Sequence, residues 1–394
     1  MTTTINKEQK NPNVPNLRFP EFEGEWKRTS LKDISTVNPK SASLEESFVY
    51  IDLEAVEKGI LKKQQTILRS EAPSRAQRVI MDGDILFQCV RPYQKNNYLH
   101  KGQNNDKTQW VASTGYAQIR TTESPSYLYH TLNTDGFNKK VMVRCTGSSY
   151  PAINSDDLST IHFYFSPQKE EQRKISQLFD LLDERIATQN KIIEDLKKLK
   201  CAIIETEYNG KGHEYRIGDI IDQVSQRNKR CLVNTVLSVN NKLGFINQDE
   251  QFEDRTVASE DTSNYKVVFK DDFAYNPARI NVGSIARLKS FDKGIVSPMY
   301  ICFKVTDGIV PEYLESYFAT NHFFKEMQKR LEGSVRLCLS FEGLCNIPIF
   351  VPCIDEQTEI GKRIYQLENK IETECNILSL YEKQKQYLLR QMFI

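Results

Sequence analysis

The sequence predicts an α+β protein with an internal pseudo-twofold repeat: two tandem mixed α/β domains separated by a pair of long antiparallel coiled-coil helices. Three observations carry that expectation. The stretch SPQKEEQRKISQLFDLLDERI from Ser166 is echoed by VPCIDEQTEIGKRIYQLENKI from Val351. The echo extends upstream through several shorter segments in one order, which marks a duplicated unit. Each copy also ends in an apolar stripe at coiled-coil spacing, which a lone helix cannot hide from water.

Composition sets the limits. At 394 residues, 39% of them hydrophobic and 27% charged, the chain can fill two cores, since a single core stops growing near roughly 250 residues. No run approaches the ~20 apolar residues that cross a bilayer, and the polar opening MTTTINKEQKNPNV lacks the apolar centre of a signal peptide. A cytoplasmic protein with no membrane partner is expected. Nine cysteines without a C-x-x-C and five histidines without paired spacing predict reduced, mostly buried thiols and no metal site. A net charge of +1 neither marks nor excludes a nucleic-acid partner, because a local patch decides that.

Taken in order, residues 1–14 read as a flexible leader, 15–167 as the first domain, 168–208 as the first spacer helix, 209–352 as the second domain and 353–394 as the second spacer helix. Within the domains, RVIMDGDILFQC, WVASTGYAQIR, KVVFKDDFAYN and MYICFKV have the β-branched and aromatic content of strands. PSYLYHTLNTDGFNKKVMVR and PEYLESYFATNHFFKEMQKRL read as helices, and Trp26 and Trp110 as core residues. The echo sets GDILFQCVRP against DDFAYNPARI, STGYAQI against SPMYICF, and GSSYPAINSDDL against GSVRLCLSFEGL, so that Arg91 falls opposite Arg279.

Along the first helix the predicted seam is Ile175, Phe179, Leu182 and Ile186, resumed by Ile192, Leu196, Leu199 and Ile203. The second copy supplies Ile360, Ile364, Leu367 and Ile371, then Ile377, Tyr381 and Leu388. The link NGKGHE is too short to bring the chain back along a helix of roughly 50 Å. The second domain is therefore expected at the far end of the first helix, with the second helix returning antiparallel in a dumbbell.

The leader NVPNLRFPEFEGEWKRTSLKDI, the tandem domain-plus-helix plan, FAYNPARINVGSIA and GSVRLCLSFEGLCNIPIFVPCIDEQTEI resemble the specificity subunit of a type I restriction-modification enzyme, from about Pro15 to the end of the chain. The resemblance implies that each domain is a target recognition domain reading one half of a split, asymmetric sequence in double-stranded DNA. It implies that the helix pair sets the spacing and docks two methyltransferase (modification) subunits, with restriction subunits joining the full complex. This chain would be non-catalytic and hold no cofactor. S-adenosylmethionine, ATP and magnesium would sit on the partner subunits.

Two kinds of segment are then candidates for DNA contact. RPYQKN and ARINVGSIAR follow a strand and offer Arg91, Tyr93 and Lys95, and Arg279, Asn281, Ser284 and Arg287; arginine pairs bidentately with guanine, asparagine with adenine, and serine with phosphate. The alternative is a loop whose arginine forms an internal ion pair. A basic helix end followed by a glycine loop occurs twice, giving Lys139, Lys140, Arg144, Ser148 and Ser149, and then Lys329, Arg330, Ser334 and Arg336. Such cations also complement a helix dipole without any ligand. RNKR adds Arg227, Lys229 and Arg230. Glu170, Glu171, Glu184, Asp355 and Glu356 are candidates for the docking surface on the outer helix faces. No N-P-P-Y/F motif for a methyltransferase is present, and Glu25-Trp26-Lys27 has the E-x-K form of a nuclease without an evident acidic partner. A coiled-coil assembly adaptor without sequence-specific DNA recognition is the rival reading.

Overall fold

The computed structural model describes residues 13–102, 108–208, 210, 212–241, 243–248, 261–333 and 336–394. Two compact units divide the chain, Met1–Gln189 with Ile377–Ile394, and Asn190–Asn376. The division falls inside the long helices, not at a link between domain and helix. Each unit therefore owns the beginning of one helix and the end of the other.

In the first unit, one four-stranded sheet has the order Gln65–Leu68, Ser47–Ile51, Trp110–Ser113, Ala76–Ile80, with the central pair parallel. A second has the order Ser35–Val37, Tyr116–Thr121, Ile85–Gln88, Tyr98–Leu99 and is antiparallel. RVIMDGDILFQC is thus two strands in different sheets, separated by a turn in which the Asp84 carboxylate accepts the Met81 N–H at 2.7 Å. WVASTGYAQIR divides likewise around Thr114 and Gly115.

The second unit repeats this topology strand for strand. Gly244–Asn247, Val236–Asn240, Lys293–Val296 and Lys266–Phe269 form one sheet, again with a parallel central pair. Ile221–Val224, Ile301–Val305, Phe273–Tyr275 and Ile285–Arg287 form the other, and Asp272 accepts the Phe269 N–H as Asp84 accepts that of Met81. A two-stranded ribbon closes each unit, Lys27–Ser30 with His162–Phe165 and His213–Arg216 with Pro348–Val351.

Each segment expected as one helix is two. The Thr134 hydroxyl accepts the Phe137 N–H at 3.2 Å, and Thr320 accepts that of Phe323 at 3.0 Å. Both threonines start a new helix, Asp135–Arg144 and Asn321–Gln328, after Pro125–Leu132 and Pro311–Tyr317.

The long helices span Lys169–Glu207 and Ile354–Met392. In the first unit Phe179 meets Phe393 at 5.7 Å between ring centroids while Asp183 pairs with Lys385, so residue number rises on one helix as it falls on the other. The second unit shows the same antiparallel sense, with Lys200 on Glu368 and Glu207 on Arg363. Ile175, Phe179, Met392 and Phe393 join the first core; Ile204, Tyr208, Ile360 and Ile364 join the second.

The predicted seam needs one correction. Ile192 and Leu199 are 39% and 49% exposed, whereas Gln189 and Ile193 are buried at 7% and 6%. The heptad runs without a break from Ile175 through Phe179, Leu182, Ile186, Gln189, Ile193, Leu196, Lys200 and Ile203. Gln189 and Lys200 are polar, so a search for apolar residues alone skips forward and restarts one residue out of register. The second helix keeps the same period with the buried Glu374 at a seam position between Ile371 and Leu378, and Lys385 at another between Tyr381 and Leu388, so the predicted Ile377 also falls one residue off the heptad.

The thiols also differ from expectation. All nine cysteines are free, but only Cys89 and Cys302 are buried, and Cys201, Cys231 and Cys353 are exposed. Burial pushes the Cys89 thiol up to about 11 and that of Cys302 to about 12, which leaves both inert at neutral pH. Trp26 is buried against Tyr127 and Phe393, whereas Trp110 is half-buried beside His100. No described helix is long and apolar enough to cross a membrane.

The corrected seam gives a direct comparison. Ile193→Ala should cost about 2–5 kcal/mol and Ile192→Ala under about 1 kcal/mol, read from urea unfolding; the reverse order would restore the broken register. Burial also holds His130 and His100 below the ordinary imidazole value of 6.5, with the Asp180 carboxylate opposing it at His130. The unfolded chain therefore binds protons that the folded one refuses, and stability falls as pH drops through that value. The urea midpoint of the first unit should decrease from about pH 7.5 to about pH 5.5, and less so in His130→Gln.

Candidate nucleic-acid interface

The loop after the strand Ile85–Gln88 is built on the Gln88 and Asn97 side chains. The Asn97 Oδ1 accepts the Gln88 N–H at 2.8 Å, while Gln88 Oε1 accepts the Asn96 N–H and Gln88 Nε2 donates to Gln94 Oε1. Between them Pro92–Gln94 forms a single 3₁₀ turn flanked by Arg91 at φ 54° and Lys95 at φ 53°. Two non-glycine residues in the left-handed region cost of order 1–3 kcal/mol each and require support from their surroundings. Here the support is visible. The Arg91 N–H donates to Pro151 O at 2.8 Å, its guanidinium lies 4.4 Å from the Tyr150 ring centroid, and Lys95 Nζ bonds Asp135 at 2.7 Å and Asn133 O at 3.1 Å. The Lys95 ammonium holds the Asp135 carboxyl below its usual range. Lys95 thus ties the loop to the helical layer, Arg91 presents a stacked cation, and Tyr93 is exposed.

The matching loop of the second unit is built differently. The Asn276 side chain accepts the Ala278 N–H, Arg279 opens the 3₁₀ turn Ile280–Val282, and Leu339 donates its N–H to Pro277 O. Arg279 and Arg336 are exposed and line a cavity of about 620 Å³ with Asn276, Ser284, Ser297 and Gln248. Asn281 is half-buried on the turn, and Ser284 is buried, its hydroxyl donating to Val239 O.

Arg287 is a correction to the expected contact set. Its side chain is 7% exposed and surrounded by Asp271, Glu312 at 2.7 Å and Glu315 at 3.0 Å. Burial works against its charge, but the carboxylates of Glu315, Glu312 and Asp271 prevail and raise its pKa. This guanidinium binds strand to helix inside the unit, its Nε and Nη1 engaged by carboxylates and its charge already compensated.

Both basic helix ends lead into a pinned glycine turn. Gly147 has φ +91° and a Cβ there would fall 2.9 Å from Tyr150 O; Gly333 has φ +110° with the same atom 2.4 Å from Arg336 O. The turns are closed by the bridges Thr146–Ala152 and Glu332–Cys338. They present the exposed Ser148 and Ser149 in one unit and Arg336 in the other; Ser334 lies outside the described residues.

The helix-end cations are largely engaged. Arg144 donates to Asp157 O and Thr160 Oγ1, Lys140 to His162 O, and Lys329 and Arg330 to Glu326. Lys140 and Arg144 nevertheless border a basic cavity of about 370 Å³ with Arg28, which sequence spacing did not single out. Lys139 lines a second cavity beside Arg390 and Phe393. RNKR wraps the buried Asn228, whose amide bonds Val233 in both senses; Arg227 bonds Asn264, and Lys229 and Arg230 project into solvent.

Among the proposed docking residues, Glu171 is the clear departure. It is fully buried and accepts from Arg18 Nε at 2.6 Å, Arg18 Nη2 at 2.9 Å, Trp26 Nε1 at 3.1 Å and Ser166 Oγ. Its position early on an amphipathic helix gave no sign of a partner 153 residues away in sequence. Glu170, Glu184, Asp355 and Glu356 are exposed. The neighbouring glutamine has one job in both units: Gln172 accepts the Ser124 N–H and donates to Ser166 O, and Gln357 accepts the Val310 N–H and donates to Pro352 O.

Residues 23–198 and 211–380 match the type I restriction modification DNA specificity domain, Methylase_S. Over 189 residues the chain is 24% identical to the type I restriction enzyme HindI specificity subunit of Haemophilus influenzae, a stretch covering 46% of this chain and 40% of that protein. Its fold resembles the type I restriction-modification system S subunit from M. genitalium, with a TM-score of 0.57 and 14% identity over 97% of this chain and 99% of that one. It also resembles a chain solved in work on complex assembly and conformational transition of the type I R-M system, with a TM-score of 0.55 and 19% identity over 92% and 96% of the two chains. With two matched segments that cover most of its length, the chain belongs to the type I restriction modification DNA specificity family.

Proposed function

We propose that this chain is the address-reading subunit of a type I restriction-modification enzyme, in which each unit reads one half of a split, asymmetric DNA target. One observation carries the reading: on two four-stranded sheets of the same order, the loops holding Arg91 and Arg279 are built from different residues. A shared framework with divergent loops suits two readers of unlike half-sites. Arg279 and Arg336 flank a cavity that also offers amide and hydroxyl groups, the combination that discriminates base edges. In the first unit Arg91 is held over Tyr150 and keeps its outer N–H groups for phosphate or guanine.

The helix pair would set the distance between half-sites and dock two modification subunits, with restriction subunits added in the full complex. On this reading the chain performs no catalysis. Adenine methylation would draw on S-adenosylmethionine, and cleavage on ATP and magnesium, all bound by those partners.

The test is a genome-wide map of adenine methylation in a methylation-free host that expresses this chain with its cognate modification subunit. A split motif with a fixed gap, lost when either protein is omitted, is expected. A stable complex that methylates nothing, and binds duplex DNA without regard to salt or sequence, would favour the assembly adaptor. In the same assay Arg279→Ala should relax discrimination about 5- to 150-fold in one half-site only, the range of a bidentate base contact. Arg287→Ala should instead destabilise the second unit by about 1–3 kcal/mol in urea unfolding, because it removes a buried cation bonded to Asp271, Glu312 and Glu315.

A further inference from the structure

The two helix starts share a sequence pattern and differ in what covers them. In the first unit the leader lies against the start of the helix: Arg18 is bonded to Glu171, Lys174 pairs with Glu21, and the Lys174 ammonium lies 4.8 Å from the Phe19 ring centroid. The repeat matches Glu171 with Glu356, Ser166 with Val351 and Lys174 with Glu359, and the ribbon register matches Trp26 with His213. No leader exists at this place in the second unit, because residues 209–212 alone join Tyr208 to the strand His213–Arg216. Arg18, which supplies two of the four donors to Glu171, thus has no counterpart, Trp26 is replaced by histidine and Ser166 by valine.

Glu356 is accordingly exposed. It borders a cavity of about 330 Å³ with Glu207, Pro352, Asp355, Glu359, Ile360 and Arg363. Arg363 is paired with Glu207 at 2.9 Å, and among the described residues no cation lies within bonding distance of Asp355, Glu356 or Glu359. Helix stabilisation explains part of the set: acids favour a helix start, and Glu359 stands three and four residues before Lys362 and Arg363. It does not explain Glu207, at the carboxyl end of the other long helix, where the dipole disfavours an acid. Pro352 and Ile360 supply an apolar floor, as Phe19 has in the first unit.

We propose that this groove receives an extended polypeptide segment of another protein, with an arginine opposite Glu356 and a second cation opposite Glu359. The first contact repeats the one that Arg18 makes with Glu171. The second inverts the Glu21–Lys174 pair, because the helix residue at that place is itself inverted. The inference rests on the helix pair being a docking platform, and it adds the place and the charge pattern of one contact.

The test uses the full chain and a fluorescent peptide with the sequence of residues 13–24 carrying Glu21→Lys, read by anisotropy. This peptide should bind saturably and about tenfold more tightly than the unaltered sequence, the gain expected when one repulsive exposed pair becomes attractive. Glu359→Lys in the chain should reverse that preference, and Glu356→Gln should weaken both peptides. Absence of saturable binding, equal affinity for the two peptides, or an unchanged preference in Glu359→Lys would overturn the proposal. The assay contains no modification subunit. If that subunit still co-purifies with the chain, a failed peptide assay removes this groove and leaves the docking platform; if the subunit does not co-purify, the platform itself is lost.

Discussion

The structure depends on the burial of one apolar stripe on each long helix. Neither stripe can be covered by its own helix, and each helix ends as part of the other unit's core. Phe393, at the end of the second helix, stacks on Tyr127 with centroids 5.5 Å apart, and Tyr208, just past the first, stacks on Tyr313 at 4.7 Å. Tyr208 and Phe393 are related by the same sequence offset that relates Pro167 to Pro352, and their partners Tyr127 and Tyr313 by one residue more. Aromatic pairs of this kind add to the area they bury, and here they fasten a helix end to a domain. A unit without the other helix's end would lack part of its own hydrophobic cluster.

That shared construction explains which residues recur and which drift. Gln172 and Gln357 accept the equivalent N–H groups of Ser124 and Val310 and donate to carbonyls one residue apart in the repeat, Ser166 O and Pro352 O, since a helix start, a returning strand and a loop must meet there without unpaired groups. Asp84 and Asp272 fix the same turn between sheets. The loops that these devices hold are free to change, and they do. One is stapled by Lys95 to Asp135, and the other opens into a cavity around Arg279. A reader of DNA needs this division of labour, because the framework sets register while the loops set sequence preference.

Much of the fold was legible because a repeat, an apolar period and a left-handed glycine are local signals. Gly147 and Gly333 stand where the turn geometry demands them, and the helix stripes appear at the expected spacing. The seam was misread at Ile192 because the heptad passes through Gln189 and Lys200, whose polarity hides their position. Charge was less legible still. Arg287 and Arg279 look alike in sequence, yet one is enclosed by Asp271, Glu312 and Glu315 while the other faces a cavity. Glu171 resembles any surface acid until Arg18 and Trp26 fold onto it. Long-range partners decide whether a charge is structural or available, and local spacing does not record them.

The central claim is that the core of each unit includes the end of the long helix that begins in the other. Hydrogen exchange on Phe393→Ala and Tyr208→Ala tests it most directly. The account predicts faster exchange in Pro125–Leu132 for the first variant and in Pro311–Tyr317 for the second, with the other unit unchanged in each case. Equal loosening of both units by either variant, or protection retained in both, would contradict it.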